Sequence, residues 1–228
     1  MRVDQSYSQK SASSPHKSDD NDALVMIVDD DPSVRRSLSG LLLSVGMRAA
    51  SFASTQELLA AGVLGRPGCL ILDVRMPGSS GLDLQNYLSS SGNPKPIVFL
   101  TAHGDIPMTV QAMKAGAVDF LTKPVRDQTL LDAVIAGIAK DVAQRAEAVI
   151  VNGCIKRFET LTPREREILC EVARGRLNKQ IAFDLGISEV TVKLHRSNVM
   201  RKMEAASLGD LIRSWEALPA PMREAGAN

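Results

Sequence analysis

From Leu24 onward, short apolar runs alternate with amphipathic stretches, the pattern of a parallel sheet covered by helices. Leu24–Val28 has the unbroken apolar character of a buried strand, and Arg48–Phe52, Cys69–Leu72, Ile97–Leu100 and Ala117–Leu121 follow it as further strands. Asp31 and Pro32 predict an N-cap and first-turn proline for a helix through Leu38, Leu41, Leu42 and Val45, which Gly46 ends. Ser54 with Glu57 predicts a capping box and a short helix carrying Leu58 and Leu59. Met76–Gly81 reads as a loop leading into a helix through Leu82, Leu84 and Leu88, and Ile106–Ala115 reads as the next helix. Lys123-Pro124 ends the fifth strand, and a last helix begins near Asp127. Ile135, Ile138, Val142, Ala146 and Val149 extend it at helical spacing, with a break expected at Asn152-Gly153. The five repeats predict an α/β, doubly wound, five-stranded parallel sheet.

The pattern then changes. Thr162-Pro163-Arg164-Glu165 combines a capping box with proline at the first helical position, and everything from there to Ala217 reads as helix, broken at Gly175, Gly186 and near Ala206. The expected organisation is a disordered tail over 1–22, an α/β domain over 23–140, a partly helical linker over 141–158, a small all-α domain over 159–217 and a tail over 218–228. A chain of 228 residues suits two such domains.

Composition changes this picture little. A hydrophobic fraction of 44% and a charged fraction of 23% are ordinary for a globular protein, and a net charge of +1 selects no partner. Divided after Ile150, the chain carries 14 Lys and Arg against 16 Asp and Glu, then 13 against 10. The second part is the more basic, as a nucleic-acid module requires. Cys69, Cys154 and Cys170 share no metal-ligand spacing with His16, His103 or His195, and are expected as free thiols of a reducing compartment. No apolar run approaches the ~20 residues of a membrane span, and residues 1–22 lack the apolar core of a signal peptide. A cytoplasmic location is expected.

The candidate chemistry lies at the carboxyl ends of the strands, where open parallel sheets bind ligands. Asp29, Asp30 and Asp31 follow the first strand, Asp73 the third, Thr101 the fourth and Lys123 the fifth. If the first and third strands are neighbours, two or three carboxylates share one pocket and repel unless a cation joins them. Oxygen-only ligands suit Mg²⁺. An Asp carboxylate can attack phosphorus to form an acyl phosphate, helped by Mg²⁺, an ammonium and a hydroxyl. The residues therefore point to a Mg²⁺-dependent, phosphoryl-accepting aspartate. Asp31 reads as the helix cap, Phe120 alone as core filling, and His103 as a turn residue.

Independently, Asn178–Leu185 and Glu189 to about Met203 form two predicted helices around Gly186, with Ser188 as an N-cap. Ala182, Gly186 and Val192 have the offsets of a tight helix-turn-helix. The second helix turns Thr191, Lys193, Arg196, Ser197, Arg201 and Lys202 away from Val192 and Val199. Six basic and two acidic residues lie between Arg176 and Lys202, a patch suited to phosphates.

Both halves also resemble known families. Val28-Asp29-Asp30-Asp31, Leu72-Asp73-Val74-Arg75-Met76-Pro77-Gly78 with Gly81, Leu100-Thr101-Ala102 and Lys123-Pro124 resemble the motif set of response-regulator receivers, which have a flavodoxin-like fold. His103-Gly104-Asp105-Ile106-Pro107-Met108 and Ala112-Met113-Lys114-Ala115-Gly116-Ala117-Val118-Asp119-Phe120 resemble the FixJ-like subgroup. The resemblance implies phosphorylation of Asp73, and Mg²⁺ held by Asp29, Asp30, Asp73 and the Arg75 backbone carbonyl. It further implies Lys123 paired with the phosphoryl group, Thr101 and Phe120 as switch residues, and a cis Lys123–Pro124 bond. Leu161–Leu169, Asn178–Ala182 and Ser188–Arg196 resemble LuxR-type DNA-binding domains of FixJ and NarL regulators. That implies Lys193 and Ser197 toward the major groove, Lys179, Arg196, Arg201 and Lys202 toward the DNA backbone, and a structural His195.

The expected function is a transcriptional regulator that takes a phosphoryl group on Asp73 from a sensor histidine kinase, dimerises and binds double-stranded promoter DNA. Two alternatives stand beside it: a phosphorylation-independent DNA-binding protein with a structural receiver, and a Mg²⁺-dependent phosphohydrolase. Phosphohydrolases of that kind usually carry an acid two residues after the nucleophile, where this sequence has Arg75.

Overall fold

The computed structural model describes residues 23–102 and 104–225. The expected N-terminal tail over 1–22, and His103, lie outside the described residues. The chain divides between Ala143 and Gln144 into two compact units.

In the first unit, strands β1 (Leu24–Val28), β2 (Arg48–Phe52), β3 (Gly68–Leu72), β6 (Ile97–Thr101) and β7 (Asp119–Thr122) form one parallel sheet in the order β2-β1-β3-β6-β7. A two-stranded antiparallel ribbon, β4 (Arg75–Met76) with β5 (Ser79–Ser80), replaces the plain loop expected there. Every residue of β1, β3 and β6 is buried, because helices cover both faces of a parallel sheet. The strand alternation sorts these residues into two cores. Met26, Val28, Leu70, Leu72 and Phe99 pack with Leu58 of α2 (Thr55–Ala60), Leu84 and Leu88 of α3 (Gly81–Ser90) and Ala112 of α4 (Ile106–Lys114). Val25, Ile27, Ile71, Val98 and Leu100 pack with Leu38 and Leu42 of α1 (Pro32–Ser44) and with Leu130 and Val134 of α5 (Asp127–Glu159).

The caps follow the sequence with one shift. Asp31 caps α1, and Pro32 begins it. Ser54 caps α2 by accepting from the Glu57 amide, but the Glu57 carboxylate accepts from Ala53 N (2.6 Å) and not from Ser54. Helix α5 does not break at Asn152-Gly153 but runs on to Glu159. Cys154 and Phe158 of its last turns are buried in the second core, and that burial offsets the ~1 kcal/mol cost of a helical glycine.

The second unit adds α6 (Pro163–Ala173), α7 (Asn178–Asp184), α8 (Glu189–Lys202), α9 (Leu208–Glu216) and α10 (Ala220–Ala225). The capping box of Thr162 and Glu165 forms as expected. Its core joins Ile168, Leu169, Ile181, Ala182, Val192, Val199 and Leu211. Helix α10 lies where no structure was expected after Pro219; Met222 packs against that core. All three cysteines are free and buried, and burial pushes the Cys69 thiol up to about 12. Among the described residues no helix is long and apolar enough to cross a membrane.

The amino edge of the sheet carries a buried ion pair that no motif announces. Lys95, whose side chain is 0% exposed, donates from Nζ to Asp141 Oδ1 (3.1 Å) and to the Arg66 carbonyl (2.6 Å). The other oxygen of Asp141 accepts from Gly68 N at 2.9 Å, tying α5 to the start of β3. Asp141→Ala is expected to lower stability by about 3–5 kcal/mol, because it removes a carboxylate from beside a buried ammonium. Urea unfolding of the full chain measures this. Lys95→Met combined with Asp141→Leu should recover part of the loss, because Gly68 N and the Arg66 carbonyl still lose their bonds to these side chains.

Candidate functional site

Strands β1 and β3 are neighbours, with Val28 opposite Leu72, so the residues that follow them emerge side by side. The Asp73 amide donates to the Val28 carbonyl at 2.9 Å. One carboxylate oxygen from each of Asp29, Asp30 and Asp73 falls in a group whose members all lie within 4.8 Å of one another. Asp29 and Asp73 are buried and Asp30 is exposed, so the group opens toward solvent through Asp30.

Lys123 reaches this group from the end of β7. The Lys123 amide donates to the Thr101 carbonyl (2.9 Å), and Lys123–Pro124 is cis, as the resemblance implied. Its Nζ donates to Asp29 Oδ2 at 2.5 Å and to Asp73 Oδ2 at 2.9 Å. Burial raises the pKa of Asp29, and this outweighs the hydrogen bonds from Lys123 and Asp31 that lower it. Burial alone would lower that of Lys123, but its bonds to Asp29 and Asp73 hold it above the ordinary lysine value. The second oxygen of each carboxylate also takes a backbone donor: Asp31 N to Asp29 Oδ1 (3.0 Å) and Arg75 N to Asp73 Oδ1 (3.1 Å). Asp31 itself faces away and caps α1, accepting from Ser33 N and Ser33 Oγ, both at 2.7 Å.

Three carboxylates and one ammonium leave a net negative, all-oxygen pocket, which fits a hard divalent cation. The arrangement also leaves a carboxylate, Asp73, beside a donor that can neutralise charge on a transferred group. Beyond the pocket, Asp30, Arg75, Met76, Gly78, Asp83 and Met108 line an open groove. Thr101 is buried at the end of β6. Phe120 is half-buried, with its ring centroid 5.8 Å from that of Phe99. Its ring edge lies against Gly104, where an added Cβ would meet Phe120 Cε1 at 2.8 Å. The residues alone read Phe120 as core filling and the resemblance implied a switch; neither assigned a role to the glycine beside its ring.

In the second unit, α7 and α8 pack through Ile181, Ala182, Val192 and Val199, and Ser188 caps α8. Lys193, Ser197 and Arg201 are exposed at successive i, i+4 positions on α8, and Lys179 is exposed on α7. Thr191 is half-buried, its hydroxyl 2.9 Å from that of Ser188. Arg196 is half-buried and donates to Asn178 Oδ1 at 3.1 Å. Lys202 turns inward, and donates to Glu165 Oε2 (2.6 Å) and to the Thr160 carbonyl (3.1 Å). Although burial opposes it, the bonds from Lys202 and Thr162 keep Glu165 below its ordinary value. Arg176 pairs with Glu171 and Asp184. Val190 (75% exposed) and Leu194 (62%) share the outward face of α8, although sequence reading named only its polar residues.

Comparison with known proteins matches the same two segments. Residues 25–135 match the response regulator receiver domain, and residues 159–215 match the bacterial regulatory proteins of the luxR family. Nodulation protein W of Bradyrhizobium diazoefficiens is 52% identical over 86% of this chain and 86% of its own length. The transcriptional regulatory protein FixJ of Azorhizobium caulinodans is 44% identical over 83% of this chain and 90% of its own. The solved structure of the response regulator StyR aligns with 86% of this chain and 98% of its own, at 46% identity and a TM-score of 0.72. The chain therefore belongs to the FixJ-type response regulators, transcriptional regulators in which a phosphorylatable receiver is joined to a LuxR-type DNA-binding domain.

Proposed function

We propose that Asp73 accepts the phosphoryl group, that a sensor histidine kinase is the donor, and that the phosphorylated chain dimerises on promoter DNA in the cytoplasm. The observation that carries this reading is the convergence of Asp29, Asp30, Asp73 and Lys123 on one pocket. An Asp73 carboxylate oxygen attacks phosphorus as the bond from phosphorus to the donor's leaving atom breaks, giving an acyl phosphate and the freed donor. Asp29, Asp30, Asp73 and the Arg75 carbonyl are the proposed holders of Mg²⁺, which supplies positive charge to phosphoryl oxygens. Lys123 gives up its bond to Asp73 and donates to a phosphoryl oxygen. The Thr101 hydroxyl donates to another, and Phe120 follows into the space that Thr101 vacates. Loss of Asp73 is expected to abolish the reaction. With acetyl phosphate, the wild type should gain one phosphoryl group in a divalent-metal-dependent manner, and Asp73→Asn none; intact mass reads both.

Helix α4 supports the dimer. Ile106, Val110 and Met113 are 80%, 44% and 43% exposed and recur at i, i+4 and i+7, an apolar stripe facing solvent. A stripe of that kind suits an association surface. Val110→Asp with Met113→Asp should leave the phosphorylated chain monomeric by sedimentation velocity while Asp73 still takes phosphate. A dimer as tight as that of the wild type would move the interface elsewhere.

For DNA, Lys193 and Ser197 are proposed to face the major groove and Lys179, Arg196 and Arg201 the phosphates. Lys202, with its carboxylate partner, and Thr191, with its capping bond, serve the unit's own structure. Lys193→Ala should lose sequence discrimination, and Arg201→Ala should lower the salt dependence of binding by about one counterion. Lys202→Ala should instead leave the buried Glu165 carboxylate with the Thr162 amide but without its ammonium, and cost about 1–3 kcal/mol of stability. Fluorescence anisotropy across a salt series and thermal melting separate the two effects.

A further inference from the structure

The carboxylates of Asp29 and Asp30 are only as well placed as the backbone turn that carries them, and that turn leaves the sheet. The paired positions of β1 end at Val28, opposite Phe52 on one side and Leu72 on the other. Beyond them, the Asp29 amide reaches the Phe52 carbonyl at 3.3 Å. The amide of Arg35 bonds the carbonyl of Asp31 at 3.1 Å, where the helical ladder of α1 begins. The carbonyls of Asp29 and Asp30 therefore fall between two hydrogen-bonding systems, and such groups need partners.

One side chain serves both. Arg35 Nη1 donates to the Asp29 carbonyl at 2.7 Å and to the Asp30 carbonyl at 3.0 Å. Side chains of a helix lean toward its N-terminus, so a long residue one turn into α1 reaches back over the preceding turn. Arg35 is half-buried, whereas its neighbour Arg36 is exposed. The guanidinium bonds the carbonyl side of the turn and leaves the two carboxylates to the pocket. We infer that Arg35 is a positioning residue for the acidic pocket: by pinning the Asp29 and Asp30 carbonyls, it fixes the direction in which both carboxylates meet a divalent cation. This rests on the pocket being a cation site.

The two bonds come from a single nitrogen, so a lysine ammonium could make one or both with a shorter, more mobile arm, whereas methionine keeps only the apolar stem. The test is Mn²⁺ binding to the full chain, followed by the paramagnetic resonance of the free ion, in wild type, Arg35→Met, Arg35→Lys, Arg36→Met and Asp30→Asn. The expected result is roughly tenfold weaker binding in Arg35→Met, the scale seen when a partner that orients metal ligands is removed. Arg35→Lys should fall between that and wild type, and Arg36→Met should match wild type, which controls for the lost charge. Circular dichroism reports whether each variant folds; should Arg35→Met not fold, Arg35→Lys decides. Wild-type affinity in Arg35→Met, or in Arg35→Lys when only that variant folds, overturns the inference and leaves the pocket reading intact. Tighter binding overturns it too, since charge repulsion would then outweigh positioning. If wild type binds no Mn²⁺, or binds it equally in Asp30→Asn, the pocket reading fails and the inference falls with it.

Discussion

Lys123 Nζ, held between Asp29 and Asp73, is the contact on which the rest of the first unit depends. Two buried carboxylates at the ends of adjacent strands repel, and in water-poor surroundings that repulsion is large. The strand order β2-β1-β3-β6-β7 creates the problem by setting β1 beside β3, and supplies the remedy by ending β7 within reach. One ammonium does not balance three carboxylates. The residual negative charge, carried by carboxylate oxygens, is of the kind that suits a dication. On the proposed chemistry, a phosphoryl group on Asp73 would draw Lys123 from that carboxylate, and the change would be felt at the end of β7.

The parts nearest that displacement are lightly held. Helix α4 fully buries only Ala112, and its outer face carries Ile106, Val110 and Met113 in solvent. Elements with few buried contacts lie at the low-stability end of a fold and are the ones available to move. Phe120 packs against Phe99 of β6 and against Gly104 at the approach to α4, so its ring links the strand that ends in Thr101 to the helix with the exposed stripe. The buried amide of Gln85 donates to the Ala112 carbonyl at 3.0 Å, a side-chain tether between α3 and α4. The opposite edge is built otherwise, with Lys95, Asp141 and Gly68 locked by buried polar contacts. Rigidity and mobility are thus divided between the two ends of the same strands.

Most of the fold was legible because parallel strands buried on both faces read as unbroken apolar runs, and because caps are local. Asp31, Ser54, Thr162 and Ser188 all cap helices where the sequence placed them. The acidic pocket was legible for a related reason: strand ends are easily found, and only their adjacency had to be supplied. What stayed hidden depends on contacts distant in sequence. Lys202 lies on the polar side of a helical wheel, yet it meets Glu165 across 37 positions, and no wheel contains that partner. Asn152-Gly153 looks like a stop, but the apolar Cys154 and Phe158 just beyond it are buried and keep the helix going. Arg35 gave no signal, because the groups it satisfies are carbonyls, which every residue has.

The pairing of basic side chains in the second unit also bears on why the two units belong together. Of the six basic residues from Arg176 to Lys202, Arg176 and Lys202 are neutralised by Glu171, Asp184 and Glu165. Lys179, Lys193, Arg196 and Arg201 have no carboxylate partner among the described residues, and Arg196 spends a donor on Asn178. On the proposed assignment, about three phosphate contacts, from Lys179, Arg196 and Arg201, would give a shallow salt dependence and modest affinity. The outward face of α8 adds Val190 and Leu194, which gain by burial against apolar base edges but supply no long-range attraction. A unit of this kind discriminates sequence better than it holds on to DNA. Doubling it doubles the released counterions and sets two recognition helices at a fixed spacing, so occupancy becomes steeply dependent on association. If the receiver's chemistry governs association, as proposed, it is the control such a DNA-binding unit needs.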